Sequence, residues 1–138
     1  MENKDIISKL LSLYLTPTIS THFEVKGVQE STHRIDLRLE ERPDLIPEAL
    51  SGKDVALDGF CNELELQTFA VSERAVFLHI FRRRWKEKGT TKHYSNSYDL
   101  HPEGVKATHE FATFLKEQVG CTPEQYFAYI CGEYDLGG

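Results

Sequence analysis

Between residues 23 and 81 apolar and polar positions alternate mostly with period two. After about residue 104 they recur with a period near 3.6. The chain begins with a helical pattern: Ile6, Ile7, Leu10, Leu11 and Tyr14 form a stripe that predicts a helix over 4–15. Asn3 is its candidate cap, and Thr16-Pro17 ends it. Such a stripe packs on the chain's own sheet or serves as a partner helix in a dimer.

Phe23 to Gln29 and Arg34 to Glu40 read as a hairpin across the polar turn Glu30-Ser31-Thr32-His33. Ile35, Leu37 and Leu39 alternate with Arg34, Asp36, Arg38 and Glu40, the signature of a half-exposed antiparallel strand. Two prolines and a glycine in residues 41–53 predict a surface connection, with one helical turn at Pro47 to Leu50. Val55 to Phe60 and Glu63 to Phe69 are expected to pair as strands, with a bulge or close backbone approach at Gly59. Ser72-Glu73 turns the chain into Arg74 to Phe81, which is apolar on both faces and is therefore placed centrally in a sheet.

That strand runs into a cationic arm: Arg82, Arg83, Arg84, Trp85, Lys86, Lys88 and Lys92. The turn Gly89-Thr90-Thr91 would return the chain through His93 to Leu100 as a fifth strand. Phe111, Ala112, Leu115 and Val119, with Phe114 beside them, predict a helix stopped by Gly120. Thr122-Pro123-Glu124-Gln125 is a capped start for a last helix bearing Tyr126, Phe127, Tyr129 and Ile130. The expected fold class is α+β: a mostly antiparallel sheet of about five strands, one N-terminal helix and two C-terminal helices. Residues 1–138 are read as one domain, with 104–138 the helical part packed on the sheet.

Composition changes this picture in one respect. The chain has 138 residues and a net charge of −6, which by itself argues against a polyanionic partner. Residues 82–92, however, hold six cations against one anion, Glu87, a local +5. Exposed charges act over only about 8–10 Å at physiological salt, so a segregated patch can attract phosphate while the rest of the surface stays acidic. On that reading Arg82, Arg83, Arg84, Lys86, Lys88 and Lys92 contact backbone phosphates and Trp85 stacks on a base or sugar. The bland alternative is a solvated strand end whose arginines pair with the protein's own carboxylates. If Trp85 fills the core, Arg83 shares its face and must snorkel outward.

The remaining chemistry is sparse. Three cysteines, with no C-x-x-C pair, read as reduced thiols of a cytoplasmic protein. No apolar run approaches the ~20 residues of a membrane span, and the first fifteen residues lack signal-peptide features. Six histidines show no ligand pairing along the chain, so no metal site is expected, and His79 reads as a hydrogen-bonded core residue. Glu63 and Glu65 share a strand face but read as solvated carboxylates rather than an acid–base pair. No phosphate loop, nucleophile elbow or Cys–His constellation is present, so neither catalytic residues nor a cofactor are expected.

Two stretches carry a resemblance. One is Gly59-Phe60, then Leu66-Gln67-Thr68-Phe69, then Val76 to Phe81 followed by Arg82-Arg83-Arg84-Trp85. The other is Gly104 to Glu117, GVKATHEFATFLKE. Together they resemble the N-terminal region of bacterial insertion-sequence transposases, of the type in which this region is often a separate short reading frame. The resemblance covers roughly residues 6 to 118. It implies a role in transposition: DNA recognition at element ends, or assembly with a catalytic transposase subunit that cleaves strands with its own acidic triad. The expected function is thus a non-catalytic DNA-binding or accessory module. The alternative is a protein-interaction module that docks the catalytic subunit, or forms a homodimer through Tyr126, Phe127, Tyr129 and Ile130, without touching DNA. The chain departs from the family pattern at Ala70-Val71-Ser72-Glu73, where relatives tend to have a proline and then a basic-glycine turn.

Overall fold

The computed structural model describes residues 3–137 and, within the first helix, the side chains of Ile6 and of Lys9 onward. The fold is α+β. Helices α1 (Asn3–Tyr14) and α2 (Pro17–His22) precede strands β1 (Phe23–Glu30), β2 (Arg34–Glu41), β3 (Val55–Phe60), β4 (Leu64–Val71), β5 (Arg74–Phe81) and β6 (Arg83–Glu87). Helix α3 (His109–Phe114) widens into a π-helical turn, Leu115–Val119, and α4 (Pro123–Ile130) follows.

The strands make two sheets where the sequence pattern suggested one. The main sheet has the order β1-β2-β5-β4, and β3 pairs with β6 in a separate two-stranded ribbon. Hairpins β1–β2 and β4–β5 are antiparallel, but they join through a parallel contact of β2 with β5, Leu37 opposite Leu78 and Leu39 opposite Ile80. The expected pairing of β3 with the strand after it is therefore corrected. The segment Arg83 to Glu87 of the cationic arm takes β3 as its partner, and β4 takes β5. The expected fifth strand from His93 to Leu100 is also corrected. Beside β6 this segment makes a single bridge, Trp85 with Tyr94, and otherwise runs irregularly.

The apolar face of the main sheet carries Leu37, Leu39, Leu66, Val76, Leu78 and Ile80, covered by Leu15, Ile19, Phe23 and Leu100. All are buried, at roughly 1.5–3 kcal/mol for each large side chain. Helix α1 contributes through Leu15, just past its end, and through half-buried Tyr14, whose hydroxyl donates to the Phe69 carbonyl. Ile6 and Leu10 of the predicted stripe face solvent instead, as does Leu13. The proposed capping by Asn3 and the packing of Ile7 lie outside the described side chains.

Local signals explain much of the rest. Pro17 stands in the first turn of α2, so Thr16-Pro17 ends one helix and starts another. Thr122 and Gln125 form a full capping box on α4, and Gly120 takes the left-handed conformation that stops the preceding turn. Ser72 and Glu73 both have positive φ, 51° and 65°, as a two-residue hairpin loop demands. A second, smaller core of Ala107, Phe111 and Leu115 sits under α3, tied to β4 by the buried contact between the Thr68 and Thr108 hydroxyls.

Candidate nucleic-acid interface

Strand β6 continues the central strand out of the main sheet, with Arg82 at the joint. Period two places Arg84, Lys86 and Lys88 on one face and Arg83, Trp85 and Glu87 on the other. Gly59 sits at a bulge of the paired strand: its φ is +78° and the register slips between Leu57 and Phe60, while an added Cβ would meet Arg84 Nη2 at an ordinary contact distance of 3.6 Å.

Each arginine is fastened to the protein's own backbone. Arg82 donates from Nη1 to the Asn96 carbonyl (2.8 Å), holding the irregular return segment against the joint. Arg83 donates from Nε to the Glu41 carbonyl (2.6 Å) and stacks over the Phe60 ring; its side chain is only 16 % exposed. Arg84 donates from Nε to the Asp58 carbonyl (2.8 Å). Trp85 is buried at 5 % exposure, with its indole nitrogen unpaired, and has no free ring face for a base. The assignments of Trp85 to stacking and of Arg83 to phosphate contact are therefore corrected. Trp85 is buried within the protein, and Arg83 snorkels only as far as Glu40, 3.7 Å away.

The other cations are placed differently. Among the described residues Arg82, Arg84, Lys86 and Lys92 have no carboxylate within ion-pair distance, because the two guanidinium groups rest on neutral carbonyls. Lys88 has a loose, exposed pair with Asp54 at 3.3 Å. Lys92 lies 5.1 Å from the centre of the Tyr94 ring. Asp58 sits on the same ribbon face. The hydrogen bond from His93, with the nearby charges of Lys86 and Arg84, holds its carboxyl below the usual range.

The joint is anchored by Glu41, which is fully buried. Its carboxylate accepts from the Arg83 backbone N–H (2.8 Å), from Asn96 Nδ2 (2.9 Å) and from the Tyr98 hydroxyl. Three chain segments thus meet on one carboxylate, satisfying the rule that a buried charge must be fully hydrogen-bonded. Burial and the adjacent Glu41 push the Tyr98 phenol well above its ordinary value. Sequence reasoning missed this hub: Glu41 follows Ile35, Leu37 and Leu39 at the inward positions of period two, but it opens a stretch that reads as a surface connection, and the segment around Asn96 reads as an ordinary strand.

The polar face of the main sheet holds a second group missed by sequence reasoning. His79 on β5 lies between Asp36 on β2 and Glu63, which precedes β4. Its ring donates from Nε2 to Asp36 Oδ1 (2.6 Å) and from Nδ1 to Glu63 Oε2 (2.8 Å). Burial works against the charged ring, but Glu63 and Asp36 outweigh it and raise the His79 pKa. Burial likewise works to raise Asp36; the bonds from Arg34 and His79 overcome it and hold that carboxyl low. Arg34 grips Asp36 with two hydrogen bonds and lies over the Phe77 ring, 3.7 Å from its centre. Glu63 and Glu65, expected as solvated carboxylates, are thus half-exposed members of a cross-strand cluster.

Comparison with protein-family models, curated proteins and solved structures finds no match to this chain. No helix among the described residues is long and apolar enough to cross a membrane.

Proposed function

We propose that this chain is a non-catalytic DNA-binding module of an insertion-sequence transposase, working beside a separate catalytic subunit and touching DNA through the outer face of the β3–β6 ribbon. One observation carries the reading. Arg82 and Arg84 are hydrogen-bonded to carbonyl oxygens that orient their guanidinium groups, and neither has an ion-pair partner among the described residues. Arginine has further N–H donors in its planar fork, so a group fixed by one bond still presents the others to a phosphate. Lys86, Lys88 and Lys92 extend the same positive field, and a two-stranded ribbon is of a size that the major groove of duplex DNA admits. The resemblance of the Arg82 to Trp85 stretch and of Gly104 to Glu117 to transposase N-terminal regions supports the same class.

The test is fluorescence anisotropy with a labelled DNA duplex at increasing salt. Engagement of three to five phosphates gives log affinity falling against log salt with a slope of roughly −3 to −4.5. Lys86→Ala and Arg84→Ala should each lower that slope by about 1. A response flat in salt, or binding indifferent to both changes, overturns the proposal.

A second reading, docking onto a protein partner, is favoured by Ile6, Leu10 and Leu13, which are 44 %, 62 % and 72 % exposed on one stripe of α1. Of the aromatics expected to dimerise, Phe127 instead packs on Phe77 and Tyr126 on Phe111. Sedimentation of the chain with and without Leu10→Glu separates this reading from the first.

A further inference from the structure

We infer that Glu63, Glu65 and His79 form a binding site for a single divalent transition-metal ion, zinc being the best-suited ion, on the open face of the main sheet. The inference is independent of the DNA proposal, since the site lies on a different sheet. His79 Nδ1 is 2.8 Å from Glu63 Oε2 and 3.7 Å from Glu65 Oε2, and one ligand atom from each residue lies within 4.8 Å of the others. Zinc bonds of about 2.0–2.2 Å to nitrogen and oxygen place neighbouring ligand atoms roughly 3.0–3.5 Å apart, so small side-chain adjustments bring all three onto one ion. Glu65 and His79 are direct cross-strand partners, so the sheet itself sets their spacing.

The opposite side of the ring is prepared as metal-bound histidines are. Asp36 accepts from Nε2 at 2.6 Å, which fixes the tautomer and turns the Nδ1 lone pair toward the two glutamates; Arg34 in turn locks Asp36. The charges also suit a dication. Asp36, Glu63 and Glu65 bring three negative charges, and Arg34 is the one permanently charged cation within 4 Å of them among the described residues. With the imidazole neutral, two negative charges remain, and the ion would take the place of the Nδ1 proton. Access is open: the group borders a surface groove of ≈ 590 Å³ that also runs past Gln29, Arg38 and Phe81. Imidazole with carboxylates and room for water suits zinc, whose sites with an open position use three protein ligands.

The experiment is zinc titration of the full 138-residue chain by calorimetry in a non-chelating buffer. It is followed by metal content after gel filtration and by NMR of the histidine ring nitrogens. One ion per chain is expected, with the largest ring shift at His79 Nδ1. Glu65→Gln, an exposed change that leaves the fold intact, should weaken binding at least tenfold, and His79→Gln should abolish it. Asp36→Asn should cost about 10–100-fold. Absence of zinc uptake overturns the inference. So does uptake undiminished in Glu65→Gln, or a shift confined to other histidines.

Discussion

Replacing Glu41 by alanine removes an acceptor that takes three hydrogen bonds from two other chain segments. The lost bonds are those from the Arg83 N–H, Asn96 Nδ2 and the Tyr98 hydroxyl. A hydrogen bond to a charged group contributes about 1.5–3 kcal/mol, and a buried donor left without a partner costs about 1–3 kcal/mol. The terms are not additive. Asn96 keeps its second bond to the Leu45 carbonyl at 2.7 Å, and removal of the buried carboxylate also removes its own desolvation cost. The expected loss is roughly 3–5 kcal/mol, set mainly by the two donors left without a partner, the Arg83 N–H and the Tyr98 hydroxyl. Urea unfolding followed by circular dichroism reads it directly, since a slope near 2 kcal/mol per molar moves the midpoint down by about 2 M. Glu41→Gln is the sharper control. Its oxygen can still accept from Arg83, but its amide hydrogens then confront Asn96, whose own amide cannot flip without losing Leu45. The glutamine variant should therefore recover less than half of the loss. A loss under about 1 kcal/mol for Glu41→Ala would refute the view that this carboxylate holds the ribbon to the main sheet.

Trp85 is the single tryptophan, so its emission should be blue-shifted and poorly quenched by acrylamide, and saturating DNA should leave it unchanged; red-shifted or strongly DNA-quenched emission would restore the stacking role. Three of the six tyrosines, Tyr14, Tyr98 and Tyr126, have phenols raised by burial and should ionise late in an ultraviolet absorbance titration. Because their folded pKa values exceed the unfolded value of about 10, their contribution to stability is intact below that pH and lost as pH rises through the folded values; six equivalent tyrosines would contradict the structure. Gly59→Ala forces a side chain onto a backbone with φ of +78° and should cost upward of about 1 kcal/mol in chemical denaturation. Changing Ser72-Glu73 to Asn-Gly relieves two positive-φ positions and should stabilise by about 1 kcal/mol; an unchanged unfolding midpoint would argue against that turn.

The strands of the two hairpins were legible because each is a run bounded by turn residues, either alternating with period two or, for Arg74 to Phe81, apolar on both faces. Phe23, Arg34 and Arg74 start strands where the pattern says they should, as does Val55 of the ribbon. The last helix was legible from its capping box alone. Partnership was not. Alternation reports which face of a strand is buried but carries no label for its neighbour, so neither the parallel contact of β2 with β5 nor the transfer of β3 to β6 could be read. The arginine run was seen as charge, whereas its three guanidinium groups are fastened in three directions by backbone carbonyls, which have no sequence signature. The His79 cluster was hidden for a related reason: Glu63 is 16 positions away in the chain and is brought close only by strand register.

The parallel contact between β2 and β5 makes the main sheet a union of two pieces, each already complete as a hairpin. A polypeptide severed in the exposed link near Asp44 would leave one piece carrying α1, α2 and the first hairpin, and another carrying everything else. Recombining them would be a second-order reaction whose product regains the circular dichroism of the intact chain. The molecule is in this sense a heterodimer written as one gene, with its subunit boundary running down the middle of a sheet.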